Sequence, residues 1–466
     1  MPNGSRPGSL HATSALLPEG IASDVLLTWD ENGWITQVTP AATARPGDAR
    51  AGFVVPGVAN LHSHAFQRAM AGLTERRGPP EAARDSFWTW RDVMYRFVAG
   101  VTPDLVEAIA GFLYAELLEQ GFTSVAEFHY LHHQADGTAY ANIAEMALRH
   151  VAAARAAGIG MTMLPVLYRF GGIFEVPANP GQRPFLNDPD AYFRIIDAVR
   201  DAVAHDPDAA WGFAAHSLRG CGPADLATLA QSARTLDVPI HIHAAEQVKE
   251  VQECIAATRN RPVRWLIENT GIDARWCLVH ATNLDATEVL DLAASGAVAG
   301  LCPTTEANLG DGIFALRPYL NAGGCFGFGT DSHIATSVSG ELRTLEYSER
   351  LVLRERAVGA SDSQRSVGMT LLQGGLAGGA QAVGRKLGRL APGYRADLVA
   401  LDTGHPSLVG RQGEAVIDSW VFAGDSNPVE AVWVGGRQVV EGGRHLKREA
   451  LLGAFAGAMR QLAGTL

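Results

Sequence analysis

The sequence predicts an α/β fold: a (β/α)8 TIM-like barrel with a small composite β-sandwich domain formed by both chain ends. Three observations carry that prediction. Apolar strand-like runs alternate with amphipathic helical runs eight times through the middle of the chain. The two ends read as strands and turns with little helix between them. Histidine and aspartate gather at the ends of the middle strands, where a closed parallel barrel keeps its reactive groups. A doubly wound open sheet is the alternative, but no G-x-G-x-x-G follows a strand.

The elements follow in chain order. In the first 51 residues, SDVLLTWDENGWITQV is two strand-like runs around Asp30-Glu31-Asn32-Gly33, an Asn-Gly hairpin signal. That is too little chain for a core of its own, so it must pair with something distant. Strand candidates for the barrel lie at 54–64, 122–130, 160–168, 211–219, 238–246, 276–282, 297–303 and 325–331. Between the first two, PDLVEAIAGFLYAELLEQG begins with Pro103 and ends with Gly121, as helix start and stop rules require. From Leu387 the β texture returns, with a Gly-Gly turn in EAVWVGGRQVVEGG, and ALLGAFAGAMRQLA closes the chain as a helix. The domains expected are 1–51 and 386–466, joined as one β domain, around a barrel of 52–385.

Composition narrows the partners. A formal charge of -11 opposes a nucleic-acid face, which needs clustered lysine and arginine. No run of apolar residues is long enough to span a membrane, and the N-terminus lacks an export pattern. The five cysteines form no C-x-x-C pair, which points away from disulfides and structural zinc and toward a reducing cytoplasm. A small-molecule ligand is expected, and the oligomeric state is left open, a homodimer included.

The chemistry starts at FVVPGVANLHSHAFQR. Side chains alternate along a strand, so His62 and His64 share a face and can converge on one ion, with Ser63 opposite. An isolated His-x-His is usually an ordinary polar pair. Here, however, His216, His241, His243, His280, Asp331 and His333 also fall at or near strand ends. On the fifth strand, His243 lies nearer the end than His241 and is followed three residues later by Glu246, which leaves His241 for packing behind the site. Asp331 adds an oxygen ligand. His62, His64, His243 and Asp331 then suit one divalent ion, most readily zinc, with room for water.

These residues resemble the amidohydrolase superfamily, over almost the whole chain. Its two-metal members use a carboxylated lysine from strand 3 or 4. The only lysines here are Lys249, Lys386 and Lys447, so the resemblance implies a single ion. The cytidine-deaminase type of zinc site needs a P-C-x-x-C run that is absent. More narrowly, NLHSHAFQRAMAGLTE, DSFWTWRDVMY, AEFHY, HSLRG, IHAAEQ and LCPTTEANLGDG look like the formimidoylglutamate deiminase family of histidine breakdown.

That resemblance implies water attack on a formimidoyl carbon. Asp331 would accept the water's proton, His280 would orient the nucleophile, and Glu246 would deliver a proton to the leaving nitrogen. Gln67, Arg91, Tyr130, His216 and Arg219 are the expected partners of a dicarboxylate substrate, Arg91 being open to a surface-helix reading. Glu306 and Asn308, in the loop after strand 7, either organise that side of the pocket or belong to a solvated loop, Cys302 reads as packing, and His333 has no assigned part. Residues 84–97 could be a lid or a packed helix. The competing expectations are an aminohydrolase of purine, pterin or triazine rings on the same metal site and, more distantly, a binding protein descended from such an enzyme.

Overall fold

The structure is a computed structural model that describes residues 8–75 and 87–463. Eight parallel strands run in chain order around the barrel: Val58–Ser63, Phe122–His129, Gly160–Leu167, Phe213–Ser217, Ile240–Ala244, Trp276–His280, Val298–Leu301 and Cys325–Phe328. A short strand, Ala209–Trp211, pairs beside the third. Their near-continuous apolar text matches burial on both faces, and the eight expected strand regions are all strands. Two of them are divided. The first changes sheets at Pro56-Gly57, so Ala49–Pro56 belongs to the terminal sheet and Val58–Ser63 to the barrel. A Cβ at Gly57 would lie 2.2 Å from Thr123 Oγ1, so only glycine lets the chain turn there against the second strand. The fourth is interrupted between Trp211 and Phe213.

The ring closes between the last and first strands. Asp331 N donates to His62 O at 3.0 Å, and His64 N donates to Asp331 O at 3.0 Å. Below these bonds the seam is sealed by helix Val367–Val383. Three glycines permit its close approach: a Cβ on Gly378 would stand 2.0 Å from Phe326 O, one on Gly374 2.3 Å from the Phe326 ring, and one on Gly375 2.3 Å from the Phe328 ring. Inside the barrel, Leu61 fills the space opposite Gly300 and Gly327 and packs on Cys277, Val279 and Val298.

The chain ends meet in a second sheet of eight strands. Leu398–Leu401 lies antiparallel to Ala49–Pro56, joining the C-terminal strands to Gly8–Leu17, Gly20–Trp29 and Ile35–Thr39. The expected hairpin turn is present, with Gly33 at φ +79°. The closing helix is Arg448–Leu462 and packs on Pro103–Glu119. Among the described residues no helix is long and apolar enough to cross a membrane.

Candidate active site

The C-terminal ends of the barrel strands open into a cleft. On its floor His62 Nε2 lies 3.2 Å from His64 Nε2 and 3.1 Å from His243 Nε2. Asp331 Oδ1 is 3.3 Å from His64 Nε2 and 3.6 Å from His62 Nε2. The four residues come from strands 1, 5 and 8, and all are buried.

Burial drives the histidines toward their neutral form. His64 is pushed down to about 3, against a backbone hydrogen bond that favours its charge. His62 and His243 fall well below their ordinary range for the same reason, reinforced by the neighbouring imidazoles. His64 Nδ1–H donates to Phe128 O at 2.8 Å, which leaves the Nε2 lone pair facing its neighbours. Crowded neutral nitrogens beside a carboxylate are the donor set a divalent cation takes.

Carboxylates crowd the same place. Burial, with Glu246 and Glu306 nearby, raises Asp331 to about 7 despite the attraction of His280. His280 Nε2 lies 3.9 Å from Asp331 Oδ2, and its Nδ1 is 3.3 Å from Glu306 Oε1. Burial opposes its charged form, but the bond to Glu306 and the acidic neighbours win and raise it to about 10. The backbone is strained around this floor, with Ala245 at φ +51°, His280 +71°, Ala281 +51°, Asp331 +49° and His333 +58°. Each such non-glycine residue costs about 1–3 kcal/mol, which the surrounding barrel must supply.

The cleft wall carries the other expected residues. Gln67, Arg91, Tyr130, His216 and Arg219 line it together with Glu246, His280 and Asp331. Gln67 Nε2 donates to Tyr130 Oη at 2.7 Å. The His216 ring stacks on Tyr168, centroids 4.0 Å apart. Arg91 belongs to an α-helix, Phe87–Val98, and its guanidinium lies 4.6 Å from the Trp88 ring centroid. Residues 84–86 of the segment weighed as a lid lie outside the described residues. The guanidinium of Arg219 is ion-paired with Glu246 and 3.7 Å from Glu250.

The remaining candidates divide. His241 Nε2–H donates to Ala382 O at 2.8 Å, so it ties strand 5 to the sealing helix rather than facing the cleft. Glu306 is buried, accepts from Cys302 N at 2.8 Å and braces His280, whereas half-buried Asn308 binds Glu75. His333 joins a buried series of donors: Asn60 to Thr330, Thr330 Oγ1 to His333 Nδ1 at 2.7 Å, His333 Nε2 to Ser63 at 2.9 Å, and Ser63 to Glu127 at 2.5 Å. This series runs behind the first strand and pins the residue between His62 and His64. Sequence reasoning missed Glu250 and Trp88. A signal existed for Glu250, an acid in the first turn of helix Val248–Thr258.

A closed parallel barrel with imidazoles and a carboxylate converging at its strand ends defines a metal-dependent hydrolase of the barrel type. The amidohydrolase family model matches residues 53–439, and the chain belongs to the amidohydrolase family. The chain is 48% identical over 457 residues to a formimidoylglutamate deiminase from Pseudomonas aeruginosa, covering 97% of this chain and 99% of that protein. It superposes on the crystal structure of an amidohydrolase from Brucella melitensis with a TM-score of 0.92 and 46% identity, covering 98% of this chain and 100% of that one. An adenosine deaminase from Xanthomonas campestris, solved with bound zinc, shares the fold at a TM-score of 0.80 and 21% identity, covering 98% and 99% of the two chains.

Proposed function

We propose that this protein hydrolyses N-formimidoyl-L-glutamate to N-formyl-L-glutamate and ammonia, a step of histidine breakdown. The observation that carries the reading is a single cleft with a histidine and aspartate floor and two guanidinium groups, Arg91 and Arg219, on its wall. A dianionic amino-acid tail calls for such cations, whereas a neutral ring would call for flat stacking surfaces alone.

His62, His64, His243 and Asp331 would hold one divalent ion, with zinc our assignment from three imidazoles and one carboxylate. Such an ion supplies Lewis acidity, lowering the pKa of a bound water from 15.7 to about 7. Asp331 takes a proton from the attacking water as its oxygen bonds to the formimidoyl carbon. His280, held by Glu306, orients that water. Glu246 relays that proton to the terminal nitrogen, the C–N bond breaks, ammonia leaves, and Asp331 takes the remaining hydroxyl proton and passes it to solvent as the formyl C=O forms. Gln67, fixed by Tyr130, points its amide toward the reacting nitrogen, while Arg91, Tyr130, His216 and Arg219 grip the two carboxylates. Five free cysteines, four of them buried, support placing the protein in a reducing cytoplasm.

The test is ammonia release by zinc-loaded protein from N-formimidoyl-L-glutamate, guanine and S-adenosylhomocysteine in parallel. Turnover of the first alone is expected. Turnover of either purine compound with none of the first would replace this reading with the ring aminohydrolase.

A further inference from the structure

Glu250 is fully buried, has no part in the reaction as written above, and touches both halves of the site. One carboxylate oxygen accepts from Ala245 N at 3.0 Å and the other from Glu246 N at 3.3 Å. These amides belong to the turn that carries Glu246 out of the fifth strand, where Ala245 sits in the left-handed region at φ +51°. The carbonyls of the same two residues are held from the other side by Asn283 Nδ2, at 3.2 and 2.8 Å. Glu250 is also 3.7 Å from Arg219 Nε, which has no hydrogen-bond partner among the described residues. Arg219 offers its Nη2 to Glu246.

A buried guanidinium facing two carboxylates is balanced between them, and each oxygen of Glu250 also has a backbone donor to satisfy. Holding the turn needs only acceptors. Placing Arg219 needs a charge, because the Nε contact is an ion pair without a hydrogen bond. Resting on the roles proposed above for Glu246 and Arg219, we propose that Glu250 is a positioning residue that sets the proton-delivering carboxylate and the substrate-gripping guanidinium at once. Recognition and proton delivery are thereby fixed to one another by one side chain.

The test is steady-state kinetics on N-formimidoyl-L-glutamate with Glu250→Gln, Arg219→Gln and the double variant, zinc content and melting temperature being checked in each. Wild-type turnover is measured first, and its absence would count against the proposed function before any variant is read. With wild-type turnover, Glu250→Gln is expected to raise KM and lower kcat, each by about tenfold. In the Arg219→Gln background the KM effect of Glu250→Gln should vanish while its kcat effect persists, since the turn is still disturbed but no guanidinium remains to misplace. Kinetic constants of Glu250→Gln within twofold of wild type overturn the proposal, as does a change in kcat alone or a KM effect undiminished in the double variant. Should Glu250→Gln fail to fold, Glu250→Asp keeps the charge and shortens its reach. Calorimetry with N-formyl-L-glutamate should then show several-fold weaker binding than wild type, and unchanged affinity would sink the idea.

Discussion

The floor and the wall of the cleft are built on different principles. Floor residues leave the ends of barrel strands and are pinned from behind: His64 by Phe128 O, His280 by Glu306, and Ser63, between two floor histidines, by Glu127 and His333. The wall is made mostly of long side chains on short helices and just past strand ends, with His216 alone of the five named residues inside a barrel strand. Its guanidinium groups lie against aromatic faces, Arg91 with Trp88 and Tyr95, and Arg219 with Phe87 and Trp88 at 5.5 and 5.9 Å. The difference teaches a division of labour: the scaffold fixes what reacts, and the more adaptable margin fixes what is admitted.

Substitutions can break or sharpen that contrast, starting with the largest effect. Asp331→Asn removes the proposed proton acceptor and a carboxylate oxygen from the floor, and kcat should fall by about 10^2- to 10^4-fold, with metal content assayed alongside. Removing metal with a chelator should likewise abolish turnover, and zinc should restore it. On the wall, Arg219→Lys keeps the charge but loses the planar fork, so KM should rise about tenfold or more while zinc content stays at the wild-type level. If zinc falls as well, floor and wall are not separable. Behind the floor, Glu306→Gln loosens His280 and should lower kcat about tenfold with KM little changed, read from initial rates across substrate concentration. The smallest catalytic effect is expected from Ser63→Ala, which removes a donor from buried Glu127. It should cost about 1–3 kcal/mol of stability, seen as a lower melting temperature, with KM unaltered.

The same division explains what could be read from the sequence. Strand periodicity carried the floor: His62 and His64 share a face because residues alternate, and Glu246 distinguished His243 from His241. Its left-handed turns were invisible because Ala245, His280, Asp331 and His333 are not the glycines that usually announce positive φ. Wall residues were recognised by motif rather than by pattern, and Trp88 and Glu250 were missed because both approach Arg219, which is remote from them in the chain. Helix Val367–Val383 was equally illegible. Its glycines argue against a helix on propensity alone, yet they are what allows it to lie on Phe326 and Phe328.

The bonds that close the ring are made by the main chain of His62, His64 and Asp331 themselves. Circumference and ion geometry therefore share the same peptide units, and neither can drift without the other. During synthesis, the strand that brings Asp331 is also the last to arrive. A nascent chain carrying only the first seven strands has the three histidines of the proposed metal site but not its aspartate, so that site is completed in the same event that closes the barrel.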